Sequence, residues 1–300
     1  MGSMRRRRRP LRMALLLMST LGSLLLTSVA PQVASAKPMS AHLLAAGDHP
    51  ERLTWGGYVR TYIVHVPSGP TVANRPLVLV YPGSGDTAKG TIATTDFEEV
   101  ANRVGDIIVF MQGYRDSWDE LAGTTYAVRA HIDDVGFTKA VLKALIPLTA
   151  YDPNRVALAG FSNGAEMVQT LGCHVAASIR LIVPVEGEML SAISPGCKPS
   201  RPINVYEIHG TADTTIPYGG GVFQGDNGLI SALSARGSVS RWAQLDGCKN
   251  NPATTSSTGI SLLRYSACHA GVNVTLRTII GGTHWWGGNI GELVTRALGR

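Results

Sequence analysis

The chain has 300 residues, of which 44% are hydrophobic and 16% charged, with 34 glycines and little low-complexity sequence. That length and composition allow one large domain with a well-buried core and exclude a disordered or fibrous chain. The formal charge of +6 comes entirely from residues 1–36, which hold six arginines and no acid; the remainder balances 21 basic against 21 acidic residues, so no nucleic-acid partner is expected.

The N-terminal stretch has a plan of its own. Residues 5–12 read Arg-Arg-Arg-Arg-Arg-Pro-Leu-Arg, an apolar run fills 13–30, and Ala34-Ser35-Ala36 follows. A basic start, an apolar stretch and an A-x-A site predict a signal peptide over residues 1–36, cleaved before Lys37, with an exported mature form that has no membrane segment. The consecutive arginines suit either general or twin-arginine export. Residues 37–300 then form a single domain, since no linker, repeat or charge block interrupts them.

Along that domain, residues 61–66 alternate as a strand, and 76–81 and 107–111 are short, fully apolar runs of the kind found in buried parallel strands. A helix is predicted over 96–103 and another over 131–146, ended by Pro147. Strands are predicted at 156–159, 181–185, 203–208, 262–266 and 274–280. Helices are predicted at 162–171, within 227–245, and at 290–298. Alternating strands and helices imply an α/β fold, a mostly parallel central sheet with helices on both faces. Active residues in such sheets gather at the carboxyl ends of the strands.

The main chemical signal is Gly160-Phe161-Ser162-Asn163-Gly164, a G-x-S-x-G pattern between an apolar strand and a helix. A sharp strand-to-helix turn needs small residues on both sides of a serine held at its tip. A neutral serine needs a base, and in this arrangement the chain order is serine, acid, histidine. His284, in Gly281-Gly282-Thr283-His284-Trp285-Trp286, follows the last predicted strand and is the expected base. His269 beside Cys268 is expected to be structural, and His209 to fix a local turn. Asp213, at the end of His209-Gly210-Thr211-Ala212-Asp213, is the expected acid; Glu186 and Glu188 are its rivals. Asp133 and Asp134 are expected to cap a helix or make surface and turn contacts.

An oxyanion hole needs two backbone N–H groups. Asn163 supplies one, and the loop Tyr81-Pro82-Gly83-Ser84-Gly85 the other, with Ser84 preferred because Pro82 has no N–H. Trp118, Tyr218, Trp285 and Trp286 are candidate substrate-binding residues, with core or rim packing as the alternative for each. The segment 219–227 is glycine-rich and is a candidate mobile loop near the site. Four cysteines in an exported chain predict two disulfides, Cys173–Cys197 and Cys248–Cys268, since each pair closes a short loop; each would contribute roughly 3 kcal/mol. No metal site or cofactor is expected.

Together these segments resemble carbohydrate esterase family 1, the exported esterases related to polyhydroxybutyrate depolymerases and to feruloyl and acetylxylan esterases. The resemblance runs from about Tyr58 onward. Besides the segments already quoted it rests on Gln112-Gly113 with Trp118, on Asp133-Asp134-Val135-Gly136-Phe137, and on Ile216-Pro217-Tyr218. It implies a triad of Ser162, Asp213 and His284, and its cysteine pairing looks like the one above. Two departures stand out: the oxyanion loop usually begins His-Gly and here reads Pro82-Gly83, and Gly287 replaces a proline common after the base.

The expected activity is hydrolysis of a carboxylic ester through an acyl-enzyme. The substrate class is feruloyl or acetyl esters of polysaccharide, or short hydroxyalkanoate esters, whether small molecule or polymer. The alternatives are a polyhydroxyalkanoate depolymerase, an acyltransferase at the cell envelope, and a secreted binding protein that has lost the chemistry.

Overall fold

Apolar runs that bury both faces of a strand need helices above and below them, and the protein supplies both layers. The structure is a computed structural model that describes residues 43–69 and 73–299. The expected signal peptide lies outside the described residues, which belong to one compact unit. Twelve strands are found among them. These are β1 (Gly47–Trp55), β2 (Tyr58–Val66), β3 (Arg75–Tyr81), β4 (Ile107–Met111), β5 (Tyr151–Phe161) and β6 (Leu181–Val185), then β7 (Asn204–Gly210), β8 (Gly221–Gly225), β9 (Gly228–Ala232), β10 (Ala253–Ser257), β11 (Ile260–Tyr265) and β12 (Val274–Ile279). The helices are α1 (Ala88–Thr94), α2 (Phe97–Val104), α3 (Tyr126–Arg129), α4 (Asp134–Thr149), α5 (Asn163–Val175), α6 (Ala235–Leu245) and α7 (Ile290–Ala297).

Ten strands form one sheet in the order β1-β2-β4-β3-β5-β6-β7-β12-β11-β10. The middle is parallel, from β4 through β12. Both flanks are antiparallel. Alternation along each strand divides the core. Leu77, Leu79 and Tyr81 of β3 pack with Phe137 and Leu145 of α4, Met167 and Leu171 of α5, and Trp242 of α6. Val78 and Val80 point the other way, to Phe97 of α2 and Ile290 and Val294 of α7. The outermost strands are polar: β10 is Ala-Thr-Thr-Ser-Ser with every residue exposed, and β1 carries Pro50, Glu51 and Arg52. Such edges resist pairing with another chain. Two disulfides, Cys173–Cys197 and Cys248–Cys268, join the expected partners.

One expectation about an element's end is corrected. Pro147 does not end its helix: α4 continues to Thr149, because proline in the last turn removes only one backbone donor, while buried Leu145 and the Thr149 hydroxyl bonded to Leu145 O (3.0 Å) hold the turn. The glycine-rich stretch from 219 forms the hairpin β8–β9, closed by Asp226-Asn227, and α6 (Ala235–Leu245) lies within the 227–245 window where a helix is expected. A strand at 47–55 pairs along the whole of β2, although its charged residues and proline hide it from a hydrophobicity reading.

Asp133 caps α4 by accepting from Gly136 N (2.7 Å), as expected, but Asp134 is buried and bonded to Arg60 (2.6 Å). Removing one partner strands a buried charge, so Arg60→Met is expected to cost about 3 kcal/mol in urea denaturation. An unchanged midpoint would count against that account.

Candidate active site

The Ser162 turn is built by close packing. Ser162 has φ 54° and ψ −124°, a conformation a non-glycine residue keeps only where its neighbours impose it. Its N–H donates to Val185 O (3.0 Å), and its carbonyl accepts from Ala165 N and Glu166 N (2.8 and 3.0 Å). A Cβ on Gly164 would overlap the carbonyl oxygens of Tyr81 and Pro82, and one on Gly160 would overlap Gly164 O. The glycines of the motif are therefore needed for β5, α5 and the loop after β3 to meet. That loop lies directly on the serine, since a Cβ on Gly83 would stand 3.3 Å from Ser162 Cβ. As the first residue of α5, Asn163 has an N–H with no carbonyl one turn back to accept it.

Asp213 and His284, the expected acid and base, come from neighbouring strand ends. β7 and β12 pair in parallel with Gly210 opposite Ile279, which brings the loops after them together. Ala212 N donates to Gly282 O (2.8 Å) and Gly281 N to Thr211 Oγ1 (2.8 Å). Across this seam His284 Nδ1 and Asp213 Oδ2 are 2.7 Å apart. The imidazole lies 4.8 Å, ring to ring, from Phe161, the residue before Ser162. With Nδ1 engaged, Nε2 is the ring nitrogen left for a reacting hydroxyl.

Asp213 is held by more than His284. Its Oδ1 accepts from Thr215 N (2.8 Å) and Ile216 N (3.0 Å), and His209 Nε2 lies 3.3 Å from Oδ2. Burial alone would raise this carboxyl, but the hydrogen bonds from His209 and His284 hold it well below the usual carboxylate range. His209 is fully buried; its Nε2 meets Ile216 O (3.0 Å), closing the 210–216 turn as expected, and its Nδ1 lies 3.1 Å from Glu188.

No family model matches the chain. Feruloyl esterase B of Piromyces equi is 32% identical over 229 residues, covering 75% of this chain and 42% of its own length. The chain thus spans less than half of that relative. Among solved structures, the acetyl xylan esterase from Aspergillus awamori aligns with a TM-score of 0.62 at 12% identity, over 84% of this chain and 99% of that one. The feruloyl esterase module from Clostridium thermocellum, complexed with sinapinate, aligns at 0.53 and 12%, over 88% and 91%. In sequence the chain resembles feruloyl esterases. The structural likenesses bear on the fold, an α/β-hydrolase with its sheet mostly parallel.

In this feruloyl-esterase-like chain the four candidate aromatics lie in different settings. Trp118 is 1% exposed; its Nε1 donates to Pro82 O (2.9 Å) and its N to Asn163 Oδ1 (2.8 Å). It has no face for a ligand and instead braces the Pro82 loop and Asn163 from beneath. Trp286 is 7% exposed and stacks on Phe161 at 5.3 Å, a core contact behind the nucleophile turn. Tyr218 is half-buried, with its hydroxyl on Thr278 Oγ1 (2.9 Å). Trp285 alone is open, at 64% exposure.

The residues around Ser162 are largely ones the sequence did not announce. A pocket of about 60 Å³ is lined by Ser162, Asn163, Ser84, Glu120, Glu166 and the β8–β9 hairpin, including Phe223 and Ile230. The hairpin tip reaches the loop after β3, where the Ser84 hydroxyl bonds Asp226, and Asn227 Nδ2 donates to Thr124 O (2.9 Å). The turn residues Gly225-Asp226-Asn227-Gly228 were the available signal for that hairpin. A larger cavity, about 740 Å³ beside β1, β2 and α1, lies away from these residues.

Among the described residues, two groups have metal-ligand residue types within 4.8 Å: Asp48, His65 and Glu98 at the sheet edge, and Glu186, His209 and Asp213 beside the His284 contact. Their atoms already bond one another or the backbone, as in His65 Nδ1 to Asp48 (2.7 Å) and Gly210 N to Glu186 (3.0 Å).

Buried acids crowd this end of the sheet. Burial pushes both Glu120 and Glu207 up to about 8. Their folded values exceed the unfolded value near 4.5, so the stability they contribute is full below that pH and drains away as pH climbs toward about 8. The melting temperature is accordingly expected to be higher at pH 5 than at pH 8. A melt that rises over this interval would contradict the assignment.

Proposed function

We propose that this protein is an exported serine esterase that cleaves carboxylic esters through an acyl-enzyme, with feruloyl or acetyl esters of polysaccharide as its substrate class. The observation that carries the proposal is the 2.7 Å contact of Asp213 with His284, on the same sheet edge as a serine fixed in a strained turn. The activity that gives feruloyl esterase B its name supports the substrate class. Export is supported by the basic-then-apolar N-terminal pattern and by two disulfides, which persist in oxidising compartments. Among the described residues no helix is long and apolar enough to cross a membrane.

In this mechanism His284 Nε2 takes the Ser162 proton as Oγ attacks the ester carbon, and the carbonyl electron pair moves onto oxygen. The N–H groups of Asn163 and Ser84 receive that oxyanion. Collapse expels the alcohol, protonated by His284, and leaves Ser162 acylated. Water, deprotonated by His284, then attacks the acyl carbon and releases the acid. Asp213 orients the imidazole and stabilises its charged form. A carboxylate held this low stays ionised throughout the working pH range.

A fluorophosphonate probe, followed by peptide mass mapping, tests the nucleophile. The expected adduct sits on Ser162 and blocks turnover of methyl ferulate and phenyl acetate; an active protein labelled elsewhere, or not at all, would refute the proposal. A panel of feruloyl, acetyl and 3-hydroxybutyryl esters then ranks the acyl group.

A further inference from the structure

Glu186 stands one residue beyond β6, and the mechanism above makes no use of it. Its backbone has φ 51°, a left-handed conformation costly for a residue with a side chain. Contacts on both sides fix it there. Its N–H donates to Ile208 O (2.9 Å), and both carboxyl oxygens face Gly210 N (3.1 and 3.0 Å). Its Oε2 lies 3.3 Å from His209 Nε2. The preceding residue, Val185, accepts the N–H of Ser162. Glu186 therefore sits between the turn that presents the nucleophile and the turn that presents the acid.

Chemistry decides where the proton in this corner resides. Glu186, His209 and Asp213 place their polar atoms within 4.8 Å of one another, and all three are buried. Two ionised carboxylates that close, out of water, cannot both persist. Asp213 collects two backbone N–H groups and two imidazoles, whereas Glu186 has one backbone N–H and shares His209. The ionised partner is Asp213 and the protonated one is Glu186, whose carboxyl is pushed up to about 9 by burial and by Asp213. The other groups facing this corner are His284 and, beyond His209 Nδ1, Glu188, whose carboxyl is pushed well above its usual range by burial, by Glu207 and, more weakly, by Glu166.

We infer that Glu186 is a positioning residue for the triad: its carboxyl hydrogen is donated to Asp213 and fixes the oxygen that meets His284. This rests on the esterase reading above. The proton stays on Glu186 during turnover, so one negative charge faces the imidazolium, and that charge is held in place from behind.

Two variants test this with phenyl acetate across pH 6–10. Glu186→Gly removes the carboxyl while suiting the left-handed backbone. It is expected to fold, shown by its circular dichroism melt, and to lose about tenfold or more in kcat with KM little changed. Glu186→Gln keeps a permanent N–H donor, so kcat should stay within about threefold of the parent. It should also lack the fall in kcat expected of the parent above about pH 9, where Glu186 ionises. Parental kcat in Glu186→Gly, or an unaltered alkaline limb in Glu186→Gln, overturns the inference; if the glycine variant does not fold, the limb decides alone. Phosphonate labelling of the parent keeps the two claims separate. Absent labelling of Ser162 sinks the esterase reading, whereas normal labelling with parental variants sinks only the role of Glu186.

Discussion

Ser162→Ala is expected to lower kcat/KM for phenyl acetate by about 100,000-fold while leaving the melting temperature within about 2 °C of the parent. The size follows from what the hydroxyl does: without Oγ no acyl-enzyme forms, and His284 has no proton to take. Asn163 and Ser84 N–H groups would still receive an oxyanion, so a slow direct attack by water remains, well above the uncatalysed rate. Stability should change little because Ser162 Oγ bridges nothing in the turn; the backbone does that through Val185, Ala165 and Glu166. The measurement is steady-state hydrolysis with a thermal melt of the same sample. Turnover within about tenfold of the parent would end the acyl-enzyme account.

Gly164→Val is expected to cost about 5 kcal/mol or to prevent folding, among the largest effects a single substitution can have. Even the first side-chain carbon would overlap two backbone oxygens, those of Tyr81 and Pro82, and backbone cannot swing aside as a flexible side chain can. Either α5 moves off the end of β3, or the loop with Ser84 moves off the nucleophile. A partly folded product would thus lose the oxyanion donors together with stability. Urea denaturation of Gly164→Val beside Gly291→Ala, a glycine near Asp96 and Phe97 on the opposite layer, separates a local effect from general intolerance. Wild-type stability in Gly164→Val would mean that the turn is looser than its geometry.

The parallel centre of the sheet was legible because burial on both faces leaves little choice of residue. Strands 107–111 and 181–185 are apolar throughout, and both run over the span their residues predicted. The nucleophile turn was legible for a related reason, since its two glycines answer a steric demand that no other residue type meets. Asp213 and His284 followed from chain order and strand ends, a rule of topology.

What escaped the reading depends on partners far off in sequence. The hairpin β8–β9 has only one well-buried side chain from each strand, Phe223 and Ala232, too few for a periodic signal. Trp118 looks like a substrate platform because it is aromatic and near the site. Only the Asn163 and Pro82 contacts show that it faces inward. Glu186 was weighed as the acid itself. Residue type could not separate it from Asp213; what separates them is the count of donors each one receives.

The Cys248–Cys268 bond closes a loop that contains both β10 and β11. The exposed edge of the sheet is the natural place for a protease to cut in an extracellular setting. A nick anywhere between the two sulfurs would leave the pieces covalently joined, with β12 and the His284 loop still anchored to the body of the protein. Damage there would stay silent until a reductant arrived, and clipped molecules would run as one band without thiol and as two with it.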